Sequence, residues 1–265
     1  MIRFSCMELM WGGVAGAKLK PWLAEIAALG FDGAALRWAT LQPYLHNSAV
    51  LAGLLKQHRL ELAAAYLPID QAGEQLQPLC ELLRAVGCGS VVVHGGRAAT
   101  DVARIEWAKR IDAMGAQATR LGVMLSYHHH SDSLFETLEQ TELLLANSDP
   151  RHVGLFLDTG HATQDFQGHP VEHRARLLLE RHATRARFVE FKAWTPERGL
   201  SSELGEGPLD LDGVVDWLVQ ANHTGWITLE QNAPTPDSTP GACAARSLAF
   251  AKKSFQRYFA SALPK

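Results

Sequence analysis

Eight short apolar runs, each parted from the next by a longer amphipathic stretch, organise the 265 residues of this chain. The runs read MIRFSCMELMW, GAALRW, ELAAAYL, SVVVHGG, GVMLSYHHH, HVGLFLDTGH, ARFVEFKAW and WITLEQN. They are of strand length, whereas the stretches between them place apolar residues at helical spacing. In LKPWLAEIAALG, Leu19, Leu23, Ile26 and Leu29 recur at that spacing, Pro21 suits a first turn and Gly30 a C-terminal stop. The same pattern predicts helices over AVLAGLLKQHRL, LQPLCELLRAVGCG, Asp101–Arg120, SLFETLEQTELLLAN, VEHRARLLLERHA and LDGVVDWLVQANHTG, and a last one over Ala244–Phe259. Strands alternating with helices imply an α/β fold with a parallel sheet. Eight units in about 250 residues have the size of a closed (β/α)8 barrel. An open doubly wound sheet competes, but no GxGxxG loop follows the first run. No linker or shift of composition divides the chain, so residues 1–265 read as one domain.

Composition narrows function more than fold. Lys plus Arg number 25 and Asp plus Glu 28, for a formal net charge of −3. That balance lacks the concentrated positive surface of a nucleic-acid binder. Cys6, Cys80, Cys88 and Cys243 form no CxxC pair and read as buried thiols of a reducing compartment. Glu8 breaks the opening apolar run, no signal-peptide organisation is visible, and no run nears the ~18 apolar residues of a membrane span. These features lead to the expectation of a cytoplasmic protein without a membrane partner, with homo-oligomerisation left open.

Strand parity carries the functional reading. Side chains alternate across a strand, one set facing the barrel interior and the other the helices. Val123, Leu125 and Tyr127 suit the helix-facing side, which turns Ser126 and His128 inward. The same reasoning turns Phe156 and Asp158 inward on the sixth strand, Phe188, Glu190 and Lys192 on the seventh, Thr228 and Glu230 on the eighth, and Val92 and His94 on the fourth. His128, Asp158, Glu190 and Glu230 therefore converge at the C-terminal strand ends, where barrels of this kind carry their sites. Like charges ~4 Å apart repel by several kcal/mol at an effective dielectric near 20, so a cation is expected among them. Mixed nitrogen and oxygen donors suit Mn, Co, Fe or Zn, with Mg as a further choice. Ordinary ion pairs with Lys192 or Arg37 are the competing explanation.

The pieces LGFDGAALR, VVVHGG, LGVMLSYHHH, LDTGH, RFVEFKAW and LGEGPLDLDGVVDWL…GWITLEQN, in that order, resemble the xylose-isomerase-like barrel superfamily of sugar isomerases, epimerases and cyclitol dehydratases. The resemblance spans essentially the whole chain. It implies a single metal held by Glu, Asp, His and Glu from the fifth to eighth strands. Asp158 and Glu230 match; His128 stands in place of Glu and Glu190 in place of His. Ala35 also occupies a position where many relatives carry Glu. The YHHH segment looks like that of inosose dehydratase, although Ser131, Asp132 and Ser133 after it depart from that enzyme.

The resemblance implies a divalent-metal-dependent isomerase or epimerase acting on a keto-sugar or polyol, with a dehydratase of a keto-cyclitol as the alternative. Both begin with removal of the proton beside a metal-bound carbonyl. Glu230 is the first candidate base and His128 the second, while His130 can bind substrate hydroxyls or shuttle a proton. His94, His161 and Lys192 are candidate substrate contacts; Trp11, Tyr66 and Trp194 are candidate walls against a ring. His129 should point away from the site, and His46, His58 and His223 read as solvated. The Gly205–Pro208 loop permits a tight turn near the mouth, without the basic cluster of a phosphate cradle. Two further classes compete: an abasic-site endonuclease, which would need a basic crescent, and a non-catalytic binding barrel.

Overall fold

The computed structural model describes residues 2–259. All eight predicted strands are present: β1 (Ile2–Met7), β2 (Gly33–Arg37), β3 (Glu61–Pro68), β4 (Ser90–His94), β5 (Met124–His128), β6 (Val153–Asp158), β7 (Ala186–Phe191) and β8 (Gly225–Leu229). They form a closed barrel in chain order, each pair parallel, with β8 returning to β1. The helices are α1 (Leu19–Leu29), α2 (Trp38–Leu41), α3 (Ser48–Gln57), α4 (Ile69–Ala85), α5 (Asp101–Arg120), α6 (Leu138–Ala146), α7 (Thr159–Asp165), α8 (Leu177–His182), α9 (Leu211–Gln220) and α10 (Pro240–Phe259). None of the described helices is long and apolar enough to cross a membrane.

Two apolar layers follow from strand alternation. Val91, Leu125, Leu155, Val189 and Ile227 belong to the large layer beneath the helices. Met7, Ala35, Ala64, Tyr66, Val92, Phe156 and Phe188 fill the barrel itself. Phe156 and Phe188 stack at 5.3 Å inside it. On β6 and β7, Asp158 and Glu190 follow Phe156 and Phe188 on the same strand faces towards the C-terminal ends, so the plug forms the floor of the site.

Several local predictions need correction. The helix expected from Leu76 already begins at Ile69, directly after β3. The helix expected from Ser133 begins only at Leu138, because Thr137 caps it reciprocally with Gln140. The helix expected over Val171–Ala183 is divided into a 3-10 turn, the short α8 and a second 3-10 turn. Arg174 ties its start back to the carbonyls of His169 and Thr163. The last helix starts at Pro240 rather than Ala244, with Thr239 accepting from the Ala242 N–H. His46 is exposed as expected, but His58 and His223 are half-buried, each with an Nε2 that has no partner among the described residues.

A candidate metal centre at the barrel mouth

β5 ends in His128, and the chain continues into His129 and His130 without a helical turn. His128 faces inward, where its Nε2 lies 3.1 Å from Asp158 Oδ2 and its ring packs 4.5 Å from Phe156. His129 points the other way, as predicted. It is fully buried against Phe166, and its Nε2 accepts the Asp158 backbone N–H at 3.1 Å. That bond requires the proton of His129 to sit on Nδ1. Successive imidazoles thus serve opposite sides of one strand end, the first holding the Asp158 side chain and the second its backbone.

At the end of β6, Asp158 has two tasks. Its Oδ1 accepts the His161 N–H at 2.9 Å and caps α7, while Oδ2 faces the mouth. The cap brings His161 back over the site, with its Nε2 4.0 Å from Asp158 Oδ2. Gly160 makes the close approach of α7 to β7 possible, since a Cβ there would lie 2.8 Å from Lys192 Cγ. Thr159 Oγ1 donates to the Lys192 carbonyl and accepts its N–H, fixing the residue just past β7. Lys192 is 1% exposed; its ammonium forms an ion pair with Glu230 and lies 4.0 Å from Asp158 Oδ2.

Glu190 stands beside Asp158 in the strand register and accepts from the Tyr66 hydroxyl at 2.5 Å. Its other oxygen, Oε1, is buried with no partner among the described residues. Burial, Glu230 and Asp158 push the Glu190 carboxyl well above the usual range. Burial alone would raise Asp158 too, but His161, Lys192 and His128 outweigh it and hold that carboxyl well below its usual range. For Lys192, the desolvation that would lower its pKa is outweighed by Glu230, Asp158 and Glu190, which raise it. Burial and neighbouring histidines lower His94 and His130 to about 4, and burial lowers His128. Three carboxyl groups, Asp158, Glu190 and Glu230, thus meet one ammonium, Lys192, at the mouth.

His128, Asp158 and His161 each offer a ligand atom, and these atoms lie within 4.8 Å of one another. The description that fits the chain over residues 23–254 is a xylose isomerase-like TIM barrel. The chain belongs to this family. Inosose dehydratase of Lactiplantibacillus plantarum is 27% identical over 262 residues, covering 84% of each protein. A D-allulose 3-epimerase from Methylomonas sp. shares the fold with a TM-score of 0.75 at 18% identity, over 96% of this chain and 98% of that one. The IolI protein with a bound zinc atom does so with a TM-score of 0.72 at 17% identity, over 97% and 99%.

Within this xylose isomerase-like barrel, the four side chains expected to share a cation have separate local partners. His128 and Asp158 touch, while Glu190 is held by Tyr66 and Glu230 by Lys192. Arg37 is paired with none of the four; its Nε donates to Glu8 at 3.0 Å. His130 stacks 4.1 Å over His161 and donates from Nδ1 to the Ser131 carbonyl, leaving Nε2 as its acceptor. His94, half-buried, is the register neighbour of His128. Trp194 is half-buried beyond β7, and its carbonyl backs onto Gly207, where φ is +76° and a Cβ would lie 2.3 Å away. Trp11 leans on α1, donating to Glu25 and meeting Trp22 edge-on.

Sequence reasoning missed Glu8 and Asp165. Glu8 lies in a 3-10 turn after β1, fully buried, and accepts from Arg37 and Thr40. Strand parity does not extend into such a turn. Asp165 touches His161 from the last turn of α7, four residues on. The helical spacing of His161 and Asp165 in DTGHATQD was the available signal.

Proposed function

We propose that this barrel is a divalent-metal-dependent lyase that removes the proton beside the carbonyl of a keto-polyol, a sugar or cyclitol, and expels the neighbouring hydroxyl as water. The observation that carries the reading is that the Lys192-paired carboxylate of Glu230 shares the mouth with the imidazoles of His128 and His161 rather than with a second ion-paired glutamate. The resemblance implies a second glutamate at the place taken by His128. A cation fits the residues present: the mouth is negatively charged, three mixed donors converge, and the His161 Nε2 is buried without a partner. His128, Asp158 and His161 would hold it. When bound, the metal supplies Lewis acidity to the substrate carbonyl. The zinc in the IolI protein and the inosose dehydratase relative support a metal and a cyclitol-type substrate.

The chain's own groups then divide the proton work. Lys192 fixes Glu230 towards the mouth, and Glu230 takes the α-proton. Glu190 carries the proton that the departing hydroxyl needs, and solvent re-equilibrates the two carboxyl groups between turnovers. The free Nε2 of His130 accepts from a substrate hydroxyl, and His94 and Trp194 are further candidate substrate contacts. A second reading, isomerase or epimerase, is favoured by the raised Glu190 carboxyl close to Glu230: holding a proton, it can return it to carbon instead of oxygen.

Incubation with Mn²⁺ or Co²⁺ and a panel of inososes and keto-sugars in deuterated water tests both. The lyase reading expects loss of water with growth of enone or diketone absorbance; the isomerase reading expects deuterium incorporation at conserved mass. A panel in which no compound exchanges an α-hydrogen would sink both.

A further inference from the structure

We propose that Asp165 is a positioning residue which fixes the tautomer of His161 and thereby makes His161 a nitrogen ligand of the cation. This rests on the cation-dependent reading above and goes beyond it in assigning a ligand and its support. His161 is 1% exposed and has two distinct nitrogens. Nδ1 lies 3.2 Å from Asp165 Oδ2 and 3.1 Å from Ser131 Oγ. The Ser131 hydroxyl donates to Asp165 Oδ2 at 2.7 Å, so its proton is committed and its oxygen is free to accept. Gln164 Nε2 donates to both Ser131 Oγ and Asp165 Oδ1.

A carboxylate can only accept, so the arrangement places the His161 proton on Nδ1. The Ser131 backbone N–H also donates towards Nδ1 at 3.3 Å and competes for it, but it is the longest contact in the group and a neutral donor set against the Asp165 carboxylate, which can only accept. Nε2 is then left with a bare lone pair. It is buried, has no hydrogen-bond partner among the described residues, and faces Asp158 Oδ2 at 4.0 Å. Two acceptors facing each other in a dry site need a positive centre between them. His128 supplies the third donor of the group.

The geometry follows from one short helix. Asp158 caps α7, and His161 and Asp165 follow it by three and seven residues, so ligand, ligand and support share one helical face. Ser131, one residue after the stacked His130, closes the network from the β5 side. A metal-bound histidine whose second nitrogen donates to a carboxylate is a recurrent arrangement, and loss of the support typically costs 10–100-fold in metal affinity.

The test is Co²⁺ binding to metal-stripped protein, read by calorimetry and visible absorption. Wild type should bind one Co²⁺. Asp165→Asn and Asp165→Ala should weaken it about 10–100-fold and shift the visible band. Asp165→Glu should restore part of both, and adding Asp165→Asn to His161→Gln should cost nothing more. Unchanged Co²⁺ affinity and spectrum in Asp165→Asn would overturn the assignment while leaving the cation reading intact. Failure of wild type to bind Co²⁺ would overturn the cation reading itself. Should the Asp165 variants not fold, long-range ¹H–¹⁵N spectra of wild-type histidines decide: His161 is expected as the Nδ1–H tautomer, with its Nε2 resonance moving on Zn²⁺ addition. A proton on Nε2, or an Nε2 resonance indifferent to Zn²⁺, would contradict the assignment.

Discussion

The two halves of the barrel mouth carry buried carboxylates of opposite kinds. In the first half, Glu8 is saturated: Arg37 donates to it from backbone and side chain, and Thr40 donates to its carboxylate. Its partners are local and complete, and Ala35 beside them adds no charge. In the second half, Asp158 and Glu230 share one ammonium, Glu190 is held only by Tyr66, and both Glu190 Oε1 and His161 Nε2 lack hydrogen-bond partners among the described residues. A buried acid can be stabilised by complete satisfaction or left with unmet capacity. Unmet capacity is costly to fold and is therefore where a ligand gains most.

Four perturbations test this contrast, in order of falling effect. Glu230→Gln removes the proposed base while keeping its shape. Turnover should fall about 10²–10⁴-fold with Co²⁺ binding retained, measured by initial rates and calorimetry on the same preparation. Lys192→Met removes the ammonium that competes with a cation for the same negative charge. Co²⁺ should bind about tenfold more tightly, a modest fraction of the ~4 kcal/mol between charges ~4 Å apart at a dielectric near 20. The melting temperature of the metal-free protein should drop at the same time. Weaker Co²⁺ binding in this variant would show that Lys192 supports the cation rather than opposing it.

Glu8→Gln addresses the saturated half. It should destabilise the fold by about 1–3 kcal/mol in denaturant titration, because Arg37 and Thr40 lose a charged acceptor, and leave Co²⁺ affinity unchanged. A change in Co²⁺ affinity would mean that the two halves are coupled. The smallest effect concerns His129, whose pKa burial lowers from its ordinary 6.5 to about 3. Between those values the unfolded chain binds a proton that the folded chain does not. Stability therefore rises with pH through that window and is lost as pH falls. In metal-free protein, His129→Asn should flatten the dependence of stability on pH by about one proton, measured as unfolding free energy from pH 4 to 7.

Much of this arrangement was legible from strand alternation. The apolar sets of β5 to β8 are continuous, so their opposite faces had to carry Ser126, His128, Asp158, Glu190 and Glu230 into the barrel. What parity could not convey is which partner each inward group finds. Tyr66 comes from β3, across the interior, to bond Glu190, a contact between residues 124 positions apart. His161 and Asp165 lie just past the strand, where the period changes from 2 to 3.6 at the Asp158 cap. Glu8 is invisible for a similar reason, since a 3-10 turn begins directly after β1. Trp11, a candidate wall against a sugar ring, finds its partners in Glu25 and Trp22 of α1, which strand parity does not reach.

On this reading the unsatisfied second half removes a proton beside a carbonyl with a cation in place. The direct measurement is hydrogen exchange at the α-carbon of an inosose in deuterated water, followed by NMR with and without added Mn²⁺ or Co²⁺. Exchange or elimination should need the metal, stop on chelation and be lost in Glu230→Gln. Turnover of the same compound that is indifferent to chelator, or undiminished in Glu230→Gln, would contradict the reading.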